Sequence, residues 1–282
     1  MRPSSQALWL WAGTLAHASL AERIEAACAG GFSNLSLFPE DYRRARADGL
    51  TDSDILAMHE EKGVRLMTLD PYARWLPFDP PAAADPRLRI LQTEESEFFA
   101  IAEALQLQTM TAIEPFGHSH PIERLAESFA RLCDRAAESG LRVHLEFTPF
   151  SGIPDLSTAF EVVRLAGRAN GGLVLDTWHY LRGQRDDELL RSIPAECIFV
   201  VQVSDARAQV QGSLIEDTWA HRMLPGEGEL DLQTVIAILA GKRGVGPFGI
   251  EVLSRTLWQL PPAEIGRQCG ESLRELIRLA GG

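Results

Sequence analysis

Residues Gly172–Gly183 read GLVLDTWHYLRG, and the fold of this stretch decides the architecture. Its run Leu173–Leu175 is apolar without alternation, the pattern of a strand buried on both faces in a parallel sheet. Asp176 stands at the strand's carboxyl end, and His179 and Arg182 follow at spacings of three. Ligands of α/β folds bind outside the carboxyl ends of the strands, so an acid, an imidazole and a guanidinium there point to chemistry. The same residues also fit an Asp capping the next helix with a His packed against it. Other strands ending in the same way would separate the two.

Outward from this stretch, strand and helix patterns alternate along the chain. Strands are expected at 8–13, 32–38, 64–69, 108–113, 142–146, 173–175, 198–203 and 248–253. Helices are expected at 20–29, 52–62, 87–105, 122–139, 156–166, 186–192, 232–240 and 264–279. Pro39 reads as the break after the second strand, and Asp70-Pro71 as the stop of the third. Two long loops, 72–86 with Trp75 and 204–229, exceed ordinary connections and so read as functional. Eight strand–helix steps of about 35 residues are more than an open dinucleotide-binding sheet usually has. The turn after the first strand, WAGTLAHAS, also lacks a glycine-rich phosphate loop. The pattern predicts one closed (β/α)8 TIM barrel over residues 1–282.

The totals narrow the partners. The net charge of −12 argues against nucleic acid and anionic membranes, which need a basic surface. Cys28, Cys133, Cys197 and Cys269 are scattered, as buried thiols of a cytoplasmic protein would be, with no CxxC. No apolar run reaches membrane-spanning length. Arg2 followed by Ala7–Ala18 loosely resembles a signal peptide, but the first barrel strand is the better reading, because closure needs it.

Reading off the expected strand ends gives Glu114, Glu146, Asp176, Gln202 with Asp205, and Glu251. Glu146 and Glu251 each lie between apolar neighbours, where a bare carboxylate costs several kcal/mol. Three acids in one mouth call for a divalent cation. Pairing with arginines, for instance Arg142 or Arg222, is the alternative. His118, His120 and Glu227 read as loop residues, and Trp11, Trp75, Trp178 and Trp219 fall on or near strand ends.

HLEFTPF, GLVLDTWHYLRG, VVQVSD, RMLPGEG and FGIEVLS, taken in this order, resemble the xylose-isomerase-like sugar isomerase/epimerase superfamily of metal-dependent barrels. The resemblance spans the chain and is strongest over 142–254. It implies metal ligands at Glu146, Asp176, position 202 and Glu251. Position 202 is Gln where the common pattern has His, as in some dehydroshikimate dehydratases. Three carboxylates and an amide oxygen suit Mg²⁺ or Mn²⁺ better than Zn²⁺; a decayed site is the alternative. The resemblance further implies a role beside the metal for His179, as acid/base or hydroxyl partner, and a substrate contact for Arg222. Arg222 could equally bridge to Glu216 or Asp217. Trp75 is expected to wall the pocket, and Arg182 to be available to an acidic substrate.

Two activities follow. An isomerase or epimerase of a keto-sugar, sugar phosphate or polyol would use Glu146 and Glu251 on the two faces of the carbon that exchanges its proton. The ketose 3-epimerases carry a further Glu six residues after the first, where this chain has Gly152. A dehydratase of the 3-dehydroshikimate or inosose type would use the same metal to enolise a ketone and lose a hydroxyl. Phosphodiester cleavage, known on this fold, is disfavoured by the acidic charge and few histidines. A non-catalytic ligand-binding barrel would follow from a decayed site. Barrels of this group often pair as homodimers.

Overall fold

A computed structural model of the chain describes residues 7–76 and 90–280. Eight parallel strands close a barrel in sequence order. They are β1 (Trp9–Leu10), β2 (Asn34–Leu37), β3 (Arg65–Tyr72), β4 (Thr109–Ala112), β5 (Arg142–Glu146), β6 (Gly171–Asp176), β7 (Ile198–Val203) and β8 (Phe248–Ile250). Trp9 pairs with Asn34 of β2 and with Gly249 of β8, so the short first strand makes the closure. Trp9 and Leu10, within the segment weighed against a signal peptide, are thus part of the barrel wall.

The barrel interior is filled rather than hollow. Trp9, Trp11, Met67, Val174 and Val200 form a buried cluster inside it. Gly249 keeps room for them: a Cβ there would lie 2.6 Å from Trp11 Nε1 and 2.8 Å from Trp9 Cβ. His144 stands beside Trp9 and Phe199, and burial pushes its imidazole down to about 3, so it is neutral.

Eleven α-helices occur among the described residues, three more than the expected eight. The extra ones, α2 (Pro39–Ala47), α7 (Thr177–Arg182) and α9 (Leu214–Ala220), lie where the sequence reads as loop or turn. Pro39 opens α2 instead of merely ending β2, because a first-turn residue needs no amide donor. The other helices of the described chain are α1 (Leu20–Gly30), α3 (Asp52–Glu61), α4 (Glu95–Ala104), α5 (Ile122–Glu138), α6 (Leu156–Ala166), α8 (Asp187–Ser192), α10 (Leu232–Ala240) and α11 (Pro262–Ala280). Ser19 and Glu22 form a reciprocal capping box on α1, and Thr51 and Asp54 do so on α3. Helices α1 and α11 meet through glycine: a Cβ at Gly266 would come within 1.9 Å of Ala26 O.

Asp70-Pro71 does not stop β3. The strand runs through this cis peptide to Tyr72, and its register against β4 shifts between Leu69 and Tyr72. β8 is shorter than expected and ends at Ile250, leaving Glu251 as the first residue past it. Of the expected helix 87–105 and loop 72–86, residues 77–89 lie outside the described residues. No helix among the described residues is long and apolar enough to cross a membrane.

One buried ion pair joins two of the helices: Arg23 of α1 and Asp41 of α2 meet at 2.5 Å, with side chains 0% and 3% exposed. Removing one partner strands a buried charge, whereas replacing both leaves none. Asp41→Asn is therefore expected to lower unfolding stability by ~3–5 kcal/mol. Arg23→Met/Asp41→Leu should recover most of that loss, as read by urea denaturation. A double variant as unstable as the single one would show that the pair is not the cause.

Candidate active site at the barrel mouth

The carboxyl ends of β3, β5 and β6 and the residues after β7 and β8 open on one cavity of about 150 Å³. Asp70, Glu146, His179, Arg222 and Glu251 line it, with Thr148, Phe150, Thr218 and Trp219 among its other walls. Asp176 and Gln202 pair in register at the ends of β6 and β7, directly beneath.

Asp176 fills both roles that the sequence left open. Its Oδ1 accepts the His179 backbone N–H at 3.0 Å, capping α7. Its Oδ2 accepts from Arg222 Nη1 at 2.7 Å. Arg222 is anchored further by Nη2 donating to Thr218 Oγ1 at 2.7 Å, and its Nη1 stands 3.8 Å from Glu251 Oε2. Its guanidinium lies over Trp178, 5.3 Å from the ring centroid. The Arg222 pairing with a strand-end acid is thus present, while Asp217 pairs elsewhere. His179 Nε2 lies 3.3 Å from Arg222 Nη2 and 3.6 Å from Glu146 Oε1.

Three carboxyl groups, Asp176, Glu251 and Glu146, therefore act on a single guanidinium, and a fourth, Asp70, repels two of them. Burial, then repulsion from Glu251, Asp70 and Asp176, pushes the Glu146 carboxyl well above its ordinary value. Burial lifts Glu251 to about 8 against the pull of Arg222. Asp70 is lifted by burial to about 7. At Asp176 burial also acts upward, but Arg222 and the His179 N–H outweigh it and hold the carboxyl below its usual range. Burial, reinforced by Arg222, takes His179 down to about 3. A neutral imidazole follows.

Glu146, Asp176 and His179 each offer a donor atom within 4.8 Å of the others, a grouping that can hold a metal ion. Gln202 is fully buried, and neither its Oε1 nor its Nε2 has a hydrogen-bond partner. A buried amide with nothing to bond is costly, and an acceptor left open beside Asp176 is what a cation ligand requires. Glu251 is the next carboxylate to that grouping: it faces the same Arg222 Nη1 that pairs with Asp176, at 3.8 Å, and is the strongest charged neighbour of Glu146.

Several sequence-selected residues lie elsewhere. Arg182 is held by Asp217 Oδ2 at 3.0 Å and by the carbonyls of Arg207 and Ala208, so it fastens the loop after β7 and does not line the cavity. Trp75 is buried against Phe129, with Nε1 donating to Ile113 O at 2.8 Å, a core position. Glu114 accepts the amides of Phe116, Gly117, His118 and Gly152, and Asp205 those of Gly226, Gly228 and Leu230, so both brace loops. Asp70 is the mouth residue that sequence reasoning missed: Pro71 next to it hid the strand continuing through it.

A family model described as the xylose isomerase-like TIM barrel matches residues 24–276. A 3-dehydroshikimate dehydratase of Pseudomonas aeruginosa is 28% identical over 242 residues, covering 84% of this chain and 36% of that protein. An inosose isomerase of Halalkalibacterium halodurans is 27% identical over 148 residues, 52% of this chain and 51% of that one. The chain thus spans about a third to a half of the length of these curated relatives. Among solved structures, the IolI protein, determined with a bound zinc atom, superposes with a TM-score of 0.77 at 18% identity, covering 96% of this chain and 98% of that one. With a closed eight-stranded parallel barrel and a family match across most of its length, the chain belongs to the xylose isomerase-like TIM barrel family.

Proposed function

We propose that this protein is a divalent-metal-dependent enzyme that removes a proton beside the carbonyl of a small hydroxylated ketone and expels a neighbouring hydroxyl, a dehydration of the kind named for its Pseudomonas aeruginosa relative. The observation that carries the proposal is the crowding of Asp70, Glu146 and Glu251 on one cavity, with Asp176 buried beside them and Arg222 as the one guanidinium that lines it. The donors fit a cation. Glu146, Asp176 and Glu251 supply carboxylates, and Gln202 supplies the open amide oxygen. An all-oxygen set favours Mg²⁺ or Mn²⁺.

When bound, the cation polarises the substrate carbonyl and offsets the repulsion among the acids. The remaining chemistry belongs to the chain. Glu146 or Glu251 takes the proton from the carbon beside the carbonyl. Neutral His179, its Nε2 turned toward Glu146, holds a substrate hydroxyl without competing for that proton. Asp70, on the β3 wall, donates a proton to the departing hydroxyl. Phe150, Ile113 and Leu253 line the chamber with apolar surface that excludes water.

Isomerisation or epimerisation of a keto-sugar shares the first step and is the second reading, favoured by Glu146 and Glu251 entering the cavity from different strands. Against it, a side chain at position 152 is sterically barred: a Cβ there would lie 2.1 Å from His118 O. The further Glu of the ketose 3-epimerases thus has no place at that position.

Elemental analysis after dialysis against Mn²⁺ and then buffer should find near-stoichiometric metal in the wild type and a large loss in Glu251→Gln. No metal in either protein would overturn the proposal. Asp70→Asn should retain metal while turnover of a hydroxylated ketone to an ultraviolet-absorbing enone or aromatic falls by about 10²–10⁴-fold. A product without new absorbance would favour the epimerase reading.

The raised carboxyls also fix the sign of a pH effect. Glu146 and Glu251 hold protons more tightly folded than unfolded, so their contribution is present below their ordinary values and lost as pH rises toward 8. The chelator-treated protein should therefore melt at a lower temperature at pH 9 than at pH 5.5, with added Mn²⁺ restoring it. Glu251→Gln should flatten the dependence; an unchanged slope would assign it to other groups.

A further inference from the structure

We infer that a second cavity beside the mouth is the subsite for an oxyanion-bearing arm of the substrate. It measures about 480 Å³ and shares Phe38, Ile90 and Trp219 with the smaller cavity of the mouth, so the two adjoin. At about 150 Å³, the inner chamber accommodates only a compact reacting end, well below the 300–1,000 Å³ typical of ligand pockets.

The charge around the outer cavity is lopsided once its ion pairs are assigned. Its two acids are engaged: Asp41 with buried Arg23 at 2.5 Å, and Glu40 with Arg43 at 3.2 Å. Its two arginines are not engaged to the same degree. Arg44 has no ion pair within 4.0 Å among the described residues, and Arg255 reaches only Glu216, at 4.0 Å, with 62% of its side chain exposed. Trp219 and Trp258 supply apolar wall, and the His17 ring stands edge-on to Trp258 at 4.8 Å. Two open guanidinium groups on an aromatic wall recognise a phosphate or carboxylate carried on an apolar or ring-bearing arm. The inference rests on the proposed function only in taking the inner chamber as the reacting end.

Phenyl phosphate and benzoate are suitable probes, because each presents an oxyanion on a ring without a reactive ketone. Titrated into the full chain, at least one should quench the tryptophan fluorescence and bind with a dissociation constant below about 1 mM. The better ligand identifies phosphate or carboxylate as the recognised group. Arg44→Ala/Arg255→Ala, two exposed changes, should weaken that binding at least tenfold. Glu251→Gln should leave it unchanged. Binding that survives the double substitution, or no binding of either probe, overturns the inference. The probe measurement needs no metal and no turnover. Loss of metal binding with probe binding intact would therefore count against the proposed function alone, and the reverse against the subsite alone.

Discussion

The barrel mouth is governed by one imbalance: four carboxyl groups are held out of water at a site that contains a single guanidinium. Arg222 satisfies Asp176 directly and reaches toward Glu251, but one positive charge cannot match Asp70, Glu146, Asp176 and Glu251 together. Buried acids in such a cluster have two ways to lower their energy, keeping protons or gathering a cation. The raised values of Glu146, Glu251 and Asp70 express the first, and the open amide of Gln202 makes room for the second.

The scaffold supplies this crowding through its topology. Each acid sits within two residues of a strand end, and a parallel barrel brings all its strand ends to one face. The interior below is packed with tryptophan, so side chains at the top have nowhere to sink, and solvent reaches them only from the mouth. Arg222 is placed by a separate element, the segment after α9, and is locked by Thr218 one helical turn earlier. The guanidinium is therefore a fixed part of the wall.

Much of this was legible in the sequence, for physical reasons that also explain the failures. Asp176 ends the apolar run Leu173–Leu175 and Glu146 lies between Leu145 and Phe147, and acids in such settings stand out. The short helices α2, α7 and α9 did not stand out. The stretch PEDYRRARA has almost no apolar stripe, and only Pro39, Asp41 and Ala45 of it are buried, so no periodicity marks it. Asp70 was hidden by proline chemistry: Pro71 reads as a strand terminator, yet it sits at a register irregularity where a missing amide donor does little harm. Arg182 looked functional because it follows a strand end at helical spacing, and Trp75 because of the long loop it occupies. Their partners, Asp217 and Ile113 O, lie 35 and 38 residues away in sequence, beyond the reach of any local pattern.

The neutral state of His179 shows why position alone did not fix its role. In sequence it is an imidazole three residues after an acid, an arrangement that normally raises a histidine toward protonation. In the fold, Asp176 is already claimed by Arg222, and the same guanidinium lies 3.3 Å from the His179 ring. Burial and a neighbouring positive charge then outweigh the attraction of Asp176, and the imidazole stays uncharged. A neutral ring can accept a hydrogen bond from a hydroxyl or offer a lone pair to a cation, and a protonated one can do neither. Arg222 thus acts on the site twice, as counter-charge for Asp176 and, second to burial, as a charge that disfavours the protonated His179.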